Sequence, residues 1–359
     1  MNGPGRTRAL LLACLLGAGF LYWNLHRPAS TTPEWKPGPF DPPVQYAFIP
    51  EDANCPAFPP EETSTQLVPC TEWQLRVHYR LGAGRQDIDL TYGMGCDDEA
   101  CNSDIGLHDA ASQVTLRSSR RHSVPLRLTR DGHHVAYFSK SYLQFMGWDL
   151  PAGQRKAISP RLGAQQMEDF RSLEISPDGR FFAVSFAGAQ PRLLITEFAT
   201  GRTSTVPGFC AILGVSRDAS RIAAQRTCHY LDESDRTTIL RRDGTVISEW
   251  TAAGPAGDLS PDGRSLAHIQ GDHIVTLDAM TGKLIKKIKL HLLSEPNEAI
   301  GHAWLTDREF IVQADPPEAG PGSFGYYRVD VVSGASQRIV DLGLNPGGTI
   351  SLGTALIHD

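Results

Sequence analysis

Short apolar runs recur along most of this chain, and tight-turn sequences separate them. The clearest turns are Ser-Pro-Asp-Gly at residues 176–179 and 260–263. Gly adopts a positive φ without steric cost and Asp can accept hydrogen bonds from its own backbone, so this pair suits a hairpin turn. The apolar runs that follow, 180–184 and 265–269, are typical of strands. The pattern therefore predicts a series of β-hairpins.

The hairpin turns recur at a nearly constant interval. Seven turns are separated by 47, 47, 40, 44, 45 and 46 residues. They lie at Gly84, Asp131, Asp178, Asp218, Asp262, Asp307 and Gly353. A second turn, related to Asp-x-x-Thr-Gly, follows in phase at 108–113, 149–154, 198–202, 242–245, 278–283 and 330–334. Each repeat thus holds four strands in about 40 to 47 residues, the size of one propeller blade.

The two turn types together resemble a known repeat. A Ser-Pro-Asp-Gly turn, an apolar strand and an Asp-x-x-Thr-Gly turn about 20 residues later are similar to the repeats of TolB-like propellers, which are related in architecture to WD-repeat propellers. The resemblance extends from Trp73 to the C-terminus. It implies an all-β fold, a β-propeller of four-stranded blades, and protein–protein contacts in a cell envelope. Such propellers serve many roles, so the match is more specific for fold than for function.

The chain ends set the number of blades. The last hairpin, at Gly353, has no second-type turn after it and needs partner strands. The short extended segments 44–49 and 65–68 could supply them, because a blade made from both chain ends leaves no open sheet edge. We therefore predict one propeller domain over residues 44–359, with seven blades and a composite N/C-terminal closing blade. Six blades is the alternative.

The N-terminus has the pattern of a membrane segment. Arg6 and Arg8 precede an apolar run over residues 9–23, and a proline-rich stretch follows. We interpret residues 1–27 as a signal anchor and 28–43 as an extended linker. The folded domain is then expected outside the cytoplasm, in the periplasm or the extracellular space. Cleavage as a signal peptide, which would give a secreted protein, is the alternative.

Six cysteines follow this segment, and an even number in an exported chain indicates disulfides. Their order along the chain suggests three pairs: Cys55 with Cys70, Cys96 with Cys101, and Cys210 with Cys228. The last pair is best supported, because Cys210 and Cys228 lie at similar distances from the turn at Asp218. No CxxC pair occurs, which argues against a metal site.

The rest of the composition gives few chemical signals. The net charge is −6 and the pI is about 6.1, so the charge balance does not favour nucleic acid. No G-x-S-x-G, H-E-x-x-H, G-x-G-x-x-G or Walker-type motif is present. The turn aspartates recur in every clear repeat, which indicates a structural role. We therefore assign no catalytic, cofactor-binding or metal-binding residue.

These patterns predict a membrane-anchored, extracytoplasmic propeller that acts as a protein-binding or scaffold module. Its partner is expected to be another envelope protein, since a rigid ring presents connecting loops on two faces. An enzyme, either a hydrolase or a lyase, with its site at the mouth of the central channel is one alternative. Inward-facing carboxylates, His and Arg from several first strands would favour that alternative. A sensor of small ligands or cations is another.

Overall fold

A computed structural model describes ten segments of the chain: residues 44–49, 68–80, 96–97, 100–116, 121–226, 236–251, 257–292, 299–314, 325–339 and 350–352. All lie within one compact unit, Pro39–Asp359. The predicted anchor, 1–27, and the linker, 28–43, lie outside the described residues. Within the described segments, no helix has the length and apolar character that crossing a membrane requires.

The first nine strands belong to one sheet. They are β1 (Val44–Phe48), β2 (Val68–Arg80), β3 (Cys96–Asp97), β4 (Ala100–Thr115), β5 (Arg121–Ser123), β6 (Arg127–Leu128), β7 (His134–Ser139), β8 (Gln144–Asp149) and β9 (Gln154–Ala157). A short helix, α1 (Ala164–Asp169), follows them.

Sixteen further strands form four separate antiparallel sheets of four. These are β10 (Phe170–Ile175), β11 (Phe181–Phe186), β12 (Arg192–Glu197) and β13 (Arg202–Pro207); β14 (Ala211–Val215), β15 (Ile222–Gln225), β16 (Arg236–Leu240) and β17 (Val246–Thr251); β18 (Asp258–Leu259), β19 (Ser265–Gln270), β20 (His273–Asp278) and β21 (Leu284–Lys289); and β22 (Ala299–Trp304), β23 (Glu309–Ala314), β24 (Gly325–Asp330) and β25 (Ser336–Arg338). The last described strand, β26 (Ile350–Leu352), returns to the first sheet.

The first sheet contains two blades. Strands β6 to β9 make blade 1, and β26, β1, β2 and the first half of β4 make the closing blade. Among the described strands, the ladder between the two blades runs where Ala110 and Ala111 of β4 pair with β7. Blades 2 to 5 are the four separate sheets in chain order. The protein is therefore a propeller of four-stranded blades, and its closing blade is built from both ends of the chain, as predicted.

The described strands make six four-stranded sets, which is the alternative count, rather than seven. The turns at Gly84 and Gly353 were expected to mark different blades. However, β2, which precedes Gly84, and β26, which precedes Gly353, lie in the same sheet. In addition, β1 pairs with residues 74–77 of β2, which lie beyond segment 65–68. The closing blade was thus counted twice.

Each blade is buried on both faces, because side chains of its middle strands alternate between the two neighbouring blades. In β11, Phe182 and Val184 pack toward blade 1 while Phe181 and Ala183 pack toward blade 3. Six such apolar clusters join successive blades around the ring. The last of them places Tyr46 of β1 against Ile311 of blade 5, which closes the circle.

Hydrogen bonds also tie successive blades together around the central channel. The innermost strands are β26 of the closing blade and the first strand of each of blades 1 to 5, and they contact one another in the order β26, β6, β10, β14, β18, β22. The links are Leu128 N to Ser351 Oγ (3.0 Å), Arg127 Nε to Leu173 O (3.0 Å), Ile212 N to Ser172 Oγ (3.0 Å), Arg217 N to Pro261 O (2.8 Å) and Trp304 Nε1 to Asp258 O (2.7 Å).

Truncation after Thr349 should destabilise the protein strongly. It removes β26 together with the Ser351 hydroxyl that accepts a hydrogen bond from blade 1. The free energy of unfolding, measured by urea denaturation, should fall by at least about 2 kcal/mol. Tyr46→Ala tests the same closure without truncation and should cost about 3–5 kcal/mol, since Tyr46 is buried.

Leu284→Ala is the matched control for these variants. Its side chain is 60% exposed on an outer strand, so the change should stay within about 0.5 kcal/mol. An unchanged urea midpoint in the truncated protein would show that the C-terminal strand does not close the ring.

Candidate functional site

The repeated aspartates serve their own turns. In the turn after β18, Asp262 Oδ1 accepts hydrogen bonds from Ser260 Oγ (2.7 Å) and the Arg264 backbone N–H (2.9 Å). The Ser260 hydroxyl in turn accepts from the N–H of Ser265 at 2.9 Å, and Gly263 adopts a φ of +71°. The turns at Asp131, Asp178 and Asp218 have the same bonds. The structural interpretation of these aspartates fits this geometry.

The second-type turns use their aspartates in the same way. Asp278 Oδ1 accepts from the N–H groups of Met280 (3.1 Å) and Thr281 (2.8 Å) and from the Thr281 hydroxyl (2.7 Å). The bond from the Thr281 hydroxyl is the largest cause of a lowered pKa of Asp278, and the two backbone bonds add to it. All three favour the charged form of the carboxyl group. Both turn types lie on one face of the ring, since they join the first to the second and the third to the fourth of four antiparallel strands. We call it the turn face.

A groove of about 490 Å³ opens on the turn face between blades 2 and 3. Its lining comes from three turns: the one before β11, the one before β15, and the one between β16 and β17. The lining residues are Arg180, Phe181, Asp218, Ala219, Ser220, Arg241, Arg242 and Asp243. The groove is therefore built from charged turn residues around one aromatic ring.

Two guanidinium groups flank that ring. The Cζ atoms of Arg180 and Arg242 lie 5.6 and 5.7 Å from the centroid of Phe181. Such cation–π contacts contribute about 0.5–1 kcal/mol at exposed sites, and they limit the conformations of both arginines. Phe181 is 1% exposed, so the ring belongs to the core while both guanidinium groups contact it.

A second charged cluster lies in the central channel. Arg127, Glu174 and Asp258 come from the innermost strands of blades 1, 2 and 4. Arg127 Nη2 donates to Glu174 Oε1 at 3.1 Å. The side chains of Arg127 and Glu174 are 36% and 25% exposed. Solvent therefore reaches both groups in the channel. We call these three residues the channel cluster.

Burial dominates the titration of the channel cluster. It raises the pKa of Asp258 to about 7, with the negative charge of Glu174 adding to the shift and Arg127 opposing it. Burial also raises the pKa of Glu174, against the attraction of Arg127. A carboxyl group that titrates near neutrality beside a second carboxylate can bind a cationic group or exchange a proton. This is the kind of arrangement expected under the enzyme alternative.

The positions of the channel-cluster residues within the repeat could have been noticed in the sequence, although the spacing of the turns alone does not show them. Each member lies four residues before a turn aspartate, namely Asp131, Asp178 and Asp262. Each is a charged residue directly before an apolar residue on the first strand of its blade. The same repeat position in blades 3 and 5 holds Gly214 and Ala303. Aligning the repeats by position, rather than only counting their turns, would have found it.

The predicted disulfide residues are only partly within the described segments. Cys70 and Cys210 are buried. Their predicted partners, Cys55 and Cys228, lie outside the described residues, so these pairings stay predictions. The third pair, Cys96 with Cys101, is in register across the antiparallel strands β3 and β4. The side chains of that pair are not described, and its bond also stays a prediction.

Three tryptophans on the strands of the repeats have structural roles. Trp148 is buried, and the indole N–H groups of Trp250 and Trp304 donate to Ala279 O (2.9 Å) and Asp258 O (2.7 Å) of neighbouring strands. These tryptophans thus pack within and between blades. Among the described residues, no three His, Cys, Asp or Glu side chains are placed to hold a metal ion.

Comparison with known proteins gives similarity in fold only. No family model matches the chain, and no curated protein matches it. Among solved structures, TolB from Acinetobacter baumannii is 14% identical, with 84% of this chain and 64% of that chain covered and a TM-score of 0.44. A putative TolB from Agrobacterium tumefaciens is 13% identical, with 66% and 95% covered and a TM-score of 0.42.

The propeller domain of Cps50 (Swd1) from Myceliophteria thermophila is similar at the same level. It is 16% identical, with 66% of this chain and 81% of that domain covered and a TM-score of 0.39. This chain spans less than two thirds of the Acinetobacter TolB chain. These similarities assign no partner and no reaction to it, and the propeller architecture rests on the sheet topology described above.

Asp258→Asn should change how stability depends on pH. The folded pKa of Asp258, about 7, lies above its ordinary value of 3.8. The contribution of the protonated Asp258 carboxyl to the free energy of unfolding is therefore present in full below pH 4, and it is lost as the pH rises toward 7. The variant does not titrate there, so its melting temperature should rise relative to wild type as the pH increases from 5 to 8.

Asp278→Asn provides the opposite control. The pKa of Asp278 is lowered in the folded protein, so its contribution is present at neutral pH and is lost only as the pH falls below 4. That variant should be less stable than wild type at pH 7. A pH-independent difference for Asp258→Asn would mean that Asp258 does not titrate near neutrality.

Proposed function

We propose that this propeller is a protein-binding module of the cell envelope and that its partner docks on the turn-face groove between blades 2 and 3. One observation carries the proposal: the exposed guanidinium groups of Arg180 and Arg242 are held against the ring of Phe181. Arg and aromatic residues are the types enriched at the energetic centres of protein interfaces. Arginines that are already oriented lose less entropy when a partner binds.

The frame behind the groove supports this function. Phe181 belongs to the apolar cluster between blades 2 and 3, and a hydrogen bond from Ile212 N to Ser172 Oγ ties the inner strands of these blades. The walls of the groove therefore come from two blades that are packed and hydrogen-bonded together. A partner can dock there without first ordering the frame.

The proposal includes the location of the protein. The apolar segment 9–23 anchors the chain in a membrane, the linker 28–43 spaces the propeller from it, and the propeller lies in an oxidising compartment. Support comes from the basic residues before the apolar segment and from the even number of cysteines after it.

The partner can be identified by site-specific photo-crosslinking. A photoreactive residue at Arg242, which is exposed in the groove, should give discrete protein adducts in membranes that contain the full chain. The same residue at Leu284, 60% exposed on blade 4, is the control and should give few. Adducts of equal intensity at both positions, or none at Arg242, would contradict docking at the groove.

The compartment can be tested by counting thiols. In the denatured, unreduced protein, alkylation followed by peptide mass spectrometry should label Cys14 if the N-terminus is retained and leave the six later cysteines blocked. All of them should react after reduction. Free Cys210 and Cys228 in freshly isolated protein would argue against an oxidising compartment.

A further inference from the structure

We propose that the partner segment in the turn-face groove is an acidic, extended stretch of polypeptide whose Asp or Glu side chains pair with Arg180, Arg241 and Arg242. This inference rests on the proposed function and names the chemistry of the partner. It depends on which charges of the groove are already engaged within the protein.

The carboxylates of the groove are engaged by their own turns. Asp218 Oδ1 accepts hydrogen bonds from the Ser220 N–H at 3.0 Å and from the Ser216 hydroxyl at 3.1 Å. Asp243 Oδ1 accepts from the Thr245 N–H at 2.9 Å. The backbone N–H of Ser220 lowers the pKa of Asp218, and that of Thr245 lowers the pKa of Asp243. Both groups therefore stay ionised while part of their hydrogen-bonding capacity is used locally.

The guanidinium groups are much less engaged. Within the described part of the chain, the side chains of Arg241 and Arg242 form no salt bridge or side-chain hydrogen bond, and both residues are exposed. The nearest carboxylate oxygen to Arg180 is Oδ2 of Asp178, at 3.8 Å, which is too long for a direct hydrogen bond. Three planar donor groups thus face the groove with their hydrogen-bonding edges available.

Carboxylates match this arrangement. A guanidinium donates two parallel hydrogen bonds to one carboxylate, and such charge-assisted pairs are stronger than neutral ones. Arg180 and Arg242 come from different blades, and both Cζ atoms lie within 6 Å of the centroid of the Phe181 ring, so one bound segment can pair with both. A groove of about 490 Å³ has room for a few side chains, since pockets of about 300–1,000 Å³ hold ligands of that size.

The surrounding turn face favours a narrow polypeptide over a broad polyanion. Every blade from 1 to 5 places a turn aspartate on this face: Asp131, Asp178, Asp218, Asp262 and Asp307. Each of these turns also carries an arginine, namely Arg130, Arg180, Arg217, Arg264 and Arg308. A membrane surface or a nucleic acid, which is negative throughout, would therefore meet aspartates as well as arginines across this face, and the chain carries a net charge of −6. A single extended segment can reach the groove while it avoids most of these aspartates.

The test is fluorescence anisotropy with a labelled hexaglutamate peptide, titrated with the full chain in mild detergent. The wild-type protein should bind it at least tenfold more tightly than a hexaglutamine peptide of the same length, and added salt should weaken the binding. Arg241→Glu with Arg242→Glu should reduce the affinity at least tenfold. Arg241→Gln with Arg242→Gln should give an intermediate loss, and melting curves should confirm that both variants are folded.

Lys283→Glu with Lys289→Glu is the matched control, because it makes the same change in charge at exposed positions on and beside the outer strand of blade 4. Its affinity for hexaglutamate should stay within twofold of wild type. An equal loss in this control, or equal binding of hexaglutamine, would overturn the proposal.

Two further outcomes separate this inference from the proposed function. If crosslinks form at Arg242 but hexaglutamate does not bind, protein docking stands and the acidic partner is wrong. If vesicles of phosphatidylglycerol bind through Arg241 and Arg242 while hexaglutamate does not, the groove contacts a membrane and both proposals are wrong.

Discussion

Burial on both faces of every blade is the constraint on which the whole structure depends. Middle strands such as β11 send large apolar side chains to both neighbours, so no blade can end the stack without exposing one apolar face to water. A ring is the arrangement in which each face has a partner. The composite blade follows from this, because a chain with two ends needs one sheet in which those ends meet.

The channel cluster is an exception to the apolar packing of the blades. The position four residues before each turn aspartate is filled by Arg127, Glu174 and Asp258 in three blades and by Gly214 or Ala303 in two others. Enclosing two carboxylates near one guanidinium opposes folding, since desolvation raises the pKa of both acids. Departures of this kind from good packing are more frequent at functional positions than elsewhere.

The fold could be predicted from the chain because its signals are local and repeated. Hairpin turns depend on two or three adjacent residues, and their interval gives the size of a blade. The composite blade could also be expected, because the last hairpin lacked partner strands. The blade number depended instead on β2 and β26 lying in the same sheet, and turn counting could not detect that. The groove escaped prediction for a similar reason, since Arg180 and Arg242 meet only when two blades pack. Their shared contact, Phe181, looked like an ordinary strand residue.

The composite blade also determines when the protein can finish folding. Strand β1 is made first and β26 last, so the ring stays open during nearly all of synthesis, at about 5–20 residues per second. Tyr46 of β1 covers the apolar face of blade 5 near Ile311 and Tyr326, and β1 pairs with β26 only once the residues of β26 have been made. Closure of the ring therefore follows the synthesis of the last strand.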